Sequence, residues 1–122
     1  MKLIYHPNNW LDKKVKPLDF DTNDAHEVSK EMISIMEKSN GVGLAANQVE
    51  LDAQIFIIKP EGLKDYEDNK PFAIINPKIT AVSEEMIEGE EGCLSFPLLY
   101  FKVKRPVGLV TECLDSSGKE CT

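Results

Sequence analysis

Residues 24–41 read DAHEVSKEMISIMEKSNG, and this stretch decides the fold class. Its apolar residues recur at spacings of three and four, which places them on one face of an α-helix. These residues are Ala25, Val28, Met32, Ile33, Ile35 and Met36. Asp24 followed by Glu27 resembles a capping box at the helix start, and Asn40-Gly41 supplies a left-handed stop at its end. The pattern therefore predicts a single helix over residues 24–39.

Outside this helix, the apolar residues follow the pattern of short β-strands. Strands are predicted at 54–58, 72–75, 79–86, 99–103 and 107–113, with a loop at 60–71 and an extended arm over 1–20. Asn76-Pro77 is expected to close the second strand. One helix among many short strands predicts an α+β fold, in which antiparallel β-sheets pack around the helix.

The end of the sequence carries a turn signal, Asp115-Ser116-Ser117-Gly118, that would begin a return strand. Residues 119–122 are too few to pair usefully. We therefore expect either a frayed tail or a domain, residues 1–122, that is truncated at its C-terminus.

The composition is that of an ordinary globular domain, since 42% of the 122 residues are hydrophobic and 29% are charged. A net charge of −7 makes nucleic-acid binding unexpected, because phosphate backbones repel an acidic surface. No apolar run is long enough for a membrane helix, and no signal peptide is recognisable, so we expect a cytoplasmic protein. Three cysteines without a secretion signal argue against a disulfide framework.

The first segment with chemical potential is Gly41-Val42-Gly43-Leu44-Ala45-Ala46-Asn47-Gln48-Val49. Two glycines around one valine let a ligand or another chain approach the backbone closely, and Gln48 adds a side-chain amide that donates hydrogen bonds. The pattern alone favours a helix-to-strand turn with small residues packed beneath it. It lacks the Lys-Ser/Thr ending of a phosphate-binding loop.

The second segment is Glu91-Gly92-Cys93-Leu94-Ser95-Phe96-Pro97. A thiolate at Cys93, next to a glycine, is a potential ligand for a soft or borderline metal. A single cysteine is also commonly a buried apolar residue.

Together, the two segments resemble the peptide deformylase family. The first matches its motif Gly-x-Gly-Leu-Ala-Ala-x-Gln, and the second contains its motif Glu-Gly-Cys-Leu-Ser without a substitution. Weaker agreement runs through His6-Pro7 with Leu11, Ile75-Asn76-Pro77 and Arg105-Pro106. One departure is Leu98, where the family often has glycine, and this change affects the expected rim of the substrate cleft.

The resemblance implies a metallohydrolase that removes the formyl group from the N-terminal formyl-methionine of new polypeptides. Cys93 would bind the metal, typically Fe²⁺ with Zn²⁺, Ni²⁺ or Co²⁺ as substitutes, which activates the attacking water. The Gln48 amide and the Leu94 backbone N–H would hold the oxyanion. Val42, Gly43 and Leu44 would line the substrate peptide as an added strand, and Glu91 would orient the cysteine region beside the substrate.

The family's third motif, His-Glu-x-x-His on a C-terminal metal-binding helix, does not occur in this sequence, whose two histidines are His6 and His26. Neither matches a ligand position of the family. The chain alone is therefore expected to be a poor deformylase or inactive, and an apolar surface that the helix would cover would favour a homo-oligomer. The alternatives are a peptide-binding pseudoenzyme, a half-enzyme completed in trans and, least favoured, a cysteine-nucleophile enzyme.

Overall fold

The computed structural model describes residues 1–60 and 70–122. These residues form one α-helix, α1 (Ala25–Lys38), two short 3₁₀ helices (Asn9–Asp12 and Ala46–Val49), and seven strands. The strands are β1 (Gly43–Ala45), β2 (Ile55–Ile58), β3 (Phe72–Val82), β4 (Met86–Cys93), β5 (Phe96–Pro106), β6 (Leu109–Leu114) and β7 (Glu120–Cys121). One helix on antiparallel sheets confirms the predicted α+β class. Most of the loop predicted at 60–71, residues 61–69, lies outside the described residues.

Both ends of α1 are set by the residues that the sequence indicated. The Asp24 carboxylate accepts hydrogen bonds from the backbone N–H groups of His26 and Glu27, at 3.1 and 3.2 Å. Such a cap satisfies N–H groups that have no partner within the helix. The predicted N-terminal start is thereby confirmed.

At the other end, Asn40 adopts a left-handed conformation with φ 56°. Asn40 N–H donates to the Glu37 carbonyl at 3.1 Å, and Gly41 N–H donates to the Met36 carbonyl at 2.9 Å. This pair of bonds is a Schellman motif, which satisfies the last carbonyls of the helix. The chain is thus turned directly into β1.

Five strands form one antiparallel sheet in the order β1-β2-β3-β6-β7. The buried face of α1 packs on this sheet, and Met32, Met36, Ile57 and Ile75 are fully buried between them. Among the described strands β1 is an edge strand, with β2 on one side only. The core therefore supports β1 from beneath and leaves one of its edges open.

The predicted strand end at Asn76-Pro77 is wrong, because β3 continues through both residues to Val82. The pairing with β6 shifts register between Ile75 and Lys78, and Asn76 takes a φ of 49° within this irregularity. Its side chain instead binds the N-terminal arm, accepting from Leu18 N–H at 2.7 Å and donating to Leu18 C=O at 3.1 Å. The strands expected at 72–75 and 79–86 are therefore mainly two halves of β3, and Met86 already belongs to β4.

Strands β4 and β5 form a separate two-stranded sheet, joined at its tip by Leu94 and Ser95. The sequence pattern predicted only the middle of β5, at 99–103, and missed β4. The frayed tail considered for 119–122 is also wrong, since Glu120 and Cys121 pair with Leu114 and Cys113. No helix in the described part of the chain has the length and apolar character needed to cross a membrane.

Candidate active-site cleft

The first glycine-rich segment becomes strand β1 followed directly by a 3₁₀ turn that carries Gln48. Because the turn follows β1 directly, the Gln48 side chain lies close enough to contact the end of this strand. The backbone N–H of Ala45 donates to Gln48 Oε1 at 3.0 Å. The amide plane of Gln48 is thereby fixed against the strand that precedes it.

The other end of the same amide contacts the second segment. Gln48 Nε2 lies 3.1 Å from the Ser95 hydroxyl oxygen and 3.5 Å from Cys93 Sγ. The Ser95 side chain is fully buried, whereas Cys93 is exposed. The Gln48 amide is fixed by Ala45 and by the buried Ser95 hydroxyl, and its Nε2 donor therefore lies beside the exposed Cys93 sulfur.

Cys93 is the last residue of β4, and Leu94 and Ser95 form the turn into β5. The Leu94 side chain packs against Gly41, where an added Cβ would lie 2.5 Å from Leu94 Cδ1. The absence of a Cβ at Gly41 allows this close approach between the end of α1 and the hairpin tip. The two segments therefore meet directly, and Cys93 is carried to the side chain of Gln48.

The N-terminal arm ties both segments together from the other side. Ile4 N–H donates to the Gln48 carbonyl and His6 N–H donates to the Ser95 carbonyl, both at 2.8 Å. The His6 ring also stacks on Phe96, with 4.8 Å between the ring centroids. These contacts hold residues 4–6 of the arm against both segments.

The resulting cleft has a volume of about 840 Å³. Of the residues expected at the site, Val42, Gly43, Gln48, Cys93 and Leu94 line it. The Leu44 side chain is 2% exposed and points into the core, so only its backbone belongs to the strand beside the cleft. The structure thus brings together the residues of both segments.

The open edge of β1 is defined by the alternation of backbone groups along an antiparallel strand. Lys59 N–H donates to the Val42 carbonyl at 2.9 Å, so the backbone groups of Val42 point toward β2. The backbone groups of Leu44, two residues later, point the same way. The backbone N–H and C=O groups of Gly43 and Ala45 therefore point away from β2. The Ala45 N–H is already bonded to Gln48 Oε1. The backbone groups of Gly43 are therefore the ones directed at the cleft edge.

Glu91 is not part of the cleft lining. Its carboxylate instead accepts two hydrogen bonds from the Arg105 guanidinium across the hairpin, at 2.6 and 2.7 Å. These bonds lower the pKa of the Glu91 carboxyl and raise the pKa of Arg105. The pair joins β4 to β5 two residues before Cys93, so Glu91 acts on the hairpin that presents the cysteine.

The fit of these residues to a metal ion is incomplete. Within residues 1–60 and 70–122, no three His, Cys, Asp or Glu side chains are close enough to hold one ion. Cys93 offers one sulfur ligand at the cleft, whereas hydrolytic metal sites commonly use three protein ligands. His6 is stacked on Phe96, and His26 Nδ1 lies 3.3 Å from the Ser116 hydroxyl. The described residues therefore account for one ligand only.

Ser95 is the site residue that sequence reasoning missed. It lies inside the second motif, yet a serine beside an apolar pair carries no signal of its own. Its role depends on a hydrogen bond to a residue 47 positions earlier in the chain. The only signal for Ser95 in the sequence is that a polar residue occupies this position of the motif.

Comparison with known proteins identifies relatives along the whole chain. The family model for polypeptide deformylase matches residues 1–122. The peptide deformylase of Borreliella burgdorferi is 35% identical over 122 residues, which are all of this chain and 71% of that protein. A chloroplastic peptide deformylase 1B of tomato (Solanum lycopersicum) is 34% identical over 119 residues, which are 97% of this chain and 42% of that protein.

Solved structures agree with the fold over nearly the same length. The crystal structure of peptide deformylase from Thermotoga maritima superposes with a TM-score of 0.88 at 28% identity, covering 98% of this chain and 77% of that one. A peptide deformylase from Synechococcus elongatus in complex with actinonin also gives 0.88, at 29% identity, covering 98% and 64%. The arrangement of sheet, helix and hairpin is therefore the arrangement found in these enzymes.

Proposed function

This chain belongs to the polypeptide deformylase family, and from that premise we propose that its cleft binds the formyl-methionyl end of a peptide and takes part in removing the formyl group. The observation that carries the proposal is the contact between Gln48 Nε2 and Cys93 Sγ, 3.5 Å apart beside the open edge of β1. A hydrogen-bond donor, a sulfur ligand and a peptide-binding edge are thus adjacent.

Substrate binding is assigned to Val42, Gly43 and Leu44. A peptide that adds to the open edge of β1 bonds to the backbone groups of Gly43, in the manner of β-strand addition. Val42 is exposed and its side chain flanks the added chain, whereas Leu44 anchors β1 in the core. Orientation of the substrate therefore depends on backbone bonds more than on side chains.

Stabilisation of negative charge is assigned to Gln48 and Leu94. The fixed amide of Gln48 and the backbone N–H of Leu94 at the hairpin tip donate to the formyl oxygen as charge develops on it. Preorganisation by Ala45 and Ser95 means that the Gln48 amide does not need to reorient during the reaction. Glu91, through Arg105, keeps the hairpin and hence Leu94 in position.

Metal binding is assigned to Cys93, with Fe²⁺, or Zn²⁺, Ni²⁺ or Co²⁺ in its place, as the ion. Such an ion supplies a Lewis acid and an activated water when bound. No group of three potential ligand side chains lies among residues 1–60 and 70–122, so the proposal requires two further ligands and a general base from elsewhere in the polypeptide or from a partner chain. In their absence, we propose that the chain is inactive and retains peptide binding.

A second candidate, a half-enzyme completed in trans, is favoured by the apolar surface of the hairpin. Ile87, Leu98, Leu99, Tyr100 and Phe101 are all more than half exposed. So many large apolar side chains exposed on one hairpin favour a covering partner, because large exposed apolar patches commonly mark interaction surfaces. A partner segment or a second copy of the chain that covers β4 and β5 would remove it from water.

The test is a set of binding and turnover measurements on anaerobically purified, reduced chain. Formate release and binding are measured with a formyl-methionyl tripeptide, and an acetyl-methionyl tripeptide serves as the matched ligand. Co²⁺ serves as a spectroscopic probe, because a thiolate ligand produces a sulfur-to-cobalt absorption band. Cys93→Ala removes the proposed ligand, and Cys113→Ala is the matched control.

We expect the formyl peptide to bind more tightly than the acetyl peptide. In the Cys113→Ala background, which removes the second thiol pair, we expect a cobalt–thiolate band that Cys93→Ala abolishes. Formate release that depends on Cys93 would show that the remaining ligands are available and the chain is catalytic. Binding without release would agree with a chain that lacks the remaining ligands, which both the inactive peptide-binding protein and the half-enzyme require. Absence of both peptide binding and the cobalt band would overturn the proposal.

A further inference from the structure

Two cysteines outside the cleft form a close pair. Cys113 on β6 and Cys121 on β7 are directly opposite each other in the antiparallel register. Their Sγ atoms lie 2.6 Å apart, and Cys113 Sγ is 3.6 Å from the Cys121 carbonyl oxygen. Both residues are free thiols. The two sulfur atoms are therefore adjacent, and no bond joins them in the structure.

The backbone places this pair within the range of a disulfide. Directly opposed residues of antiparallel strands have Cα atoms about 4.5–5.5 Å apart. Disulfide-linked cysteines have Cα atoms about 4.4–6.8 Å apart. A bond between Cys113 and Cys121 consequently requires side-chain adjustment and no rearrangement of the strands.

The turn between the strands holds this register without the bond. Asp115 Oδ1 accepts from Ser117 N–H at 2.9 Å, from the Ser117 hydroxyl at 2.6 Å and from Lys119 N–H at 3.0 Å. Asp115 N–H also donates to the Lys119 carbonyl at 2.9 Å, and Gly118 adopts the φ of 83° that the turn needs. The two thiols are thus preorganised by local hydrogen bonds, which lowers the entropic cost of joining them.

The pair is also accessible to a small reagent. Both cysteines are only partly buried, and both line a groove of about 890 Å³ between α1 and the strands β3, β6 and β7. Cys93 lies instead in the separate cleft at the tip of the β4–β5 hairpin. Chemistry at Cys113 and Cys121 can therefore proceed without the sulfur assigned to metal binding.

We propose that Cys113 and Cys121 are a reversible oxidation site that forms a cross-strand disulfide by exchange with a low-molecular-weight disulfide. The thiolate of Cys121 attacks one sulfur of the reagent, forming a mixed disulfide and releasing one thiolate. Cys113 then loses its proton and attacks the Cys121 sulfur, releasing the second thiolate. Two protein thiols are oxidised to one disulfide, and one reagent disulfide is reduced to two thiols.

The protonation of Cys113 agrees with this order of events. Its partial burial, together with the hydrogen bond to Cys121, raises the pKa of the Cys113 thiol to about 11. The thiolate is the attacking species in exchange, so Cys113 is a poor first nucleophile at neutral pH. Once Cys121 carries the reagent, the neighbouring Cys113 sulfur is already in contact with the bond to be cleaved.

The experiment equilibrates the full chain with oxidised glutathione, alkylates the remaining thiols and measures the intact mass. Starting from three free thiols, we expect the oxidised chain to keep one alkylatable thiol and to lose about 2 Da before alkylation. Trypsin cleaves after Lys104 and Lys119, and we expect fragments 105–119 and 120–122 to remain linked. Dithiothreitol should separate them.

Matched variants identify the partners. Cys93→Ser should still lose two thiols, whereas Cys121→Ser and Cys113→Ser should lose none to an internal bond. Cys121→Ser changes only the two-residue edge strand β7, so it tests the pairing even where Cys113→Ser impairs folding. Three alkylatable thiols after equilibration, a persistent glutathione adduct, a bond to Cys93 or a linkage between two chains would each overturn the proposal.

Discussion

Gln48 Nε2 lies 3.1 Å from the hydroxyl oxygen of Ser95, and this hydroxyl is fully buried. The bond joins the turn after β1 to the tip of the β4–β5 hairpin, which belong to different sheets. It also leaves the same nitrogen 3.5 Å from Cys93 Sγ. The geometry of the candidate site therefore depends on a residue that does not line the cleft.

Ser95→Ala should lower the free energy of unfolding by about 1 kcal/mol, because the bond between the partly buried Gln48 amide and the buried Ser95 hydroxyl is lost. The measurement is urea-induced unfolding. Ser34→Ala, at an exposed position of α1, is the control and should show no loss. Binding of the formyl-methionyl tripeptide should weaken in Ser95→Ala, since the Gln48 amide is less firmly oriented. Unchanged stability would mean that Ser95 does not hold Gln48.

Gly41→Ala should destabilise the chain by about 1 kcal/mol through overpacking, since the new Cβ would lie 2.5 Å from Leu94 Cδ1. Gly89→Ala is the matched change in β4, where an added Cβ meets no atom within 4 Å. We expect the Gly89 variant to be at least as stable as the parent chain in thermal unfolding. Equal melting temperatures for the two variants would contradict the close packing of Gly41 and Leu94.

Leu98 occupies a left-handed conformation with φ 64° and is 94% exposed. A non-glycine residue in this conformation is strained by about 1–2 kcal/mol, which glycine relieves. We expect Leu98→Gly to be more stable than Leu98→Ala by about 1 kcal/mol in chemical unfolding, because both remove the same exposed side chain. A more stable alanine variant would argue against the left-handed backbone.

The Glu91–Arg105 pair predicts a dependence of stability on pH. Hydrogen bonds from Arg105 lower the pKa of the Glu91 carboxyl in the folded chain. A depressed carboxyl pKa stabilises the fold above the unfolded-state pKa, and this stabilisation is lost as pH falls through the folded-state value. Glu91→Gln should therefore reduce the melting temperature at about pH 7 and have little effect at about pH 3.

The matched control for this prediction is Glu84→Gln, at an exposed position before β4. Glu84→Gln should leave the difference in melting temperature between the two pH values the same as in the parent chain. Added salt should reduce the effect of Glu91→Gln, because both partners are solvent-exposed and their attraction is screened. An effect of Glu91→Gln that is equal at both pH values would mean that charge pairing is not its origin.

Local interactions explain why the helix could be predicted closely from the sequence. Asp24 caps the first turn and Asn40 turns the chain at the end, and each bonds to residues within four positions. The apolar spacing then selects the buried face. The two motifs likewise identified the family, because each is a contiguous run of residues.

Strand boundaries were less predictable, since they depend on partners that lie far apart along the chain. Asn76-Pro77 is a local stop signal, yet β3 passes through it because β6 pairs on both sides of the irregularity and the arm binds the Asn76 side chain. Strand β4 contains charged residues and glycines, and its pairing with β5 overrides that composition.

By itself, the sequence determined the helix, the α+β class and the family, because these follow from capping, periodicity and uninterrupted motifs. Only the tertiary structure decided that Ser95 orients Gln48, that Glu91 is paired with Arg105, and that Cys113 contacts Cys121. Each of these relationships needs two strands or turns to be placed together by the packed core. Hydrogen bonds and sulfur contacts act over a few ångströms, and no pattern along the chain reports such distances.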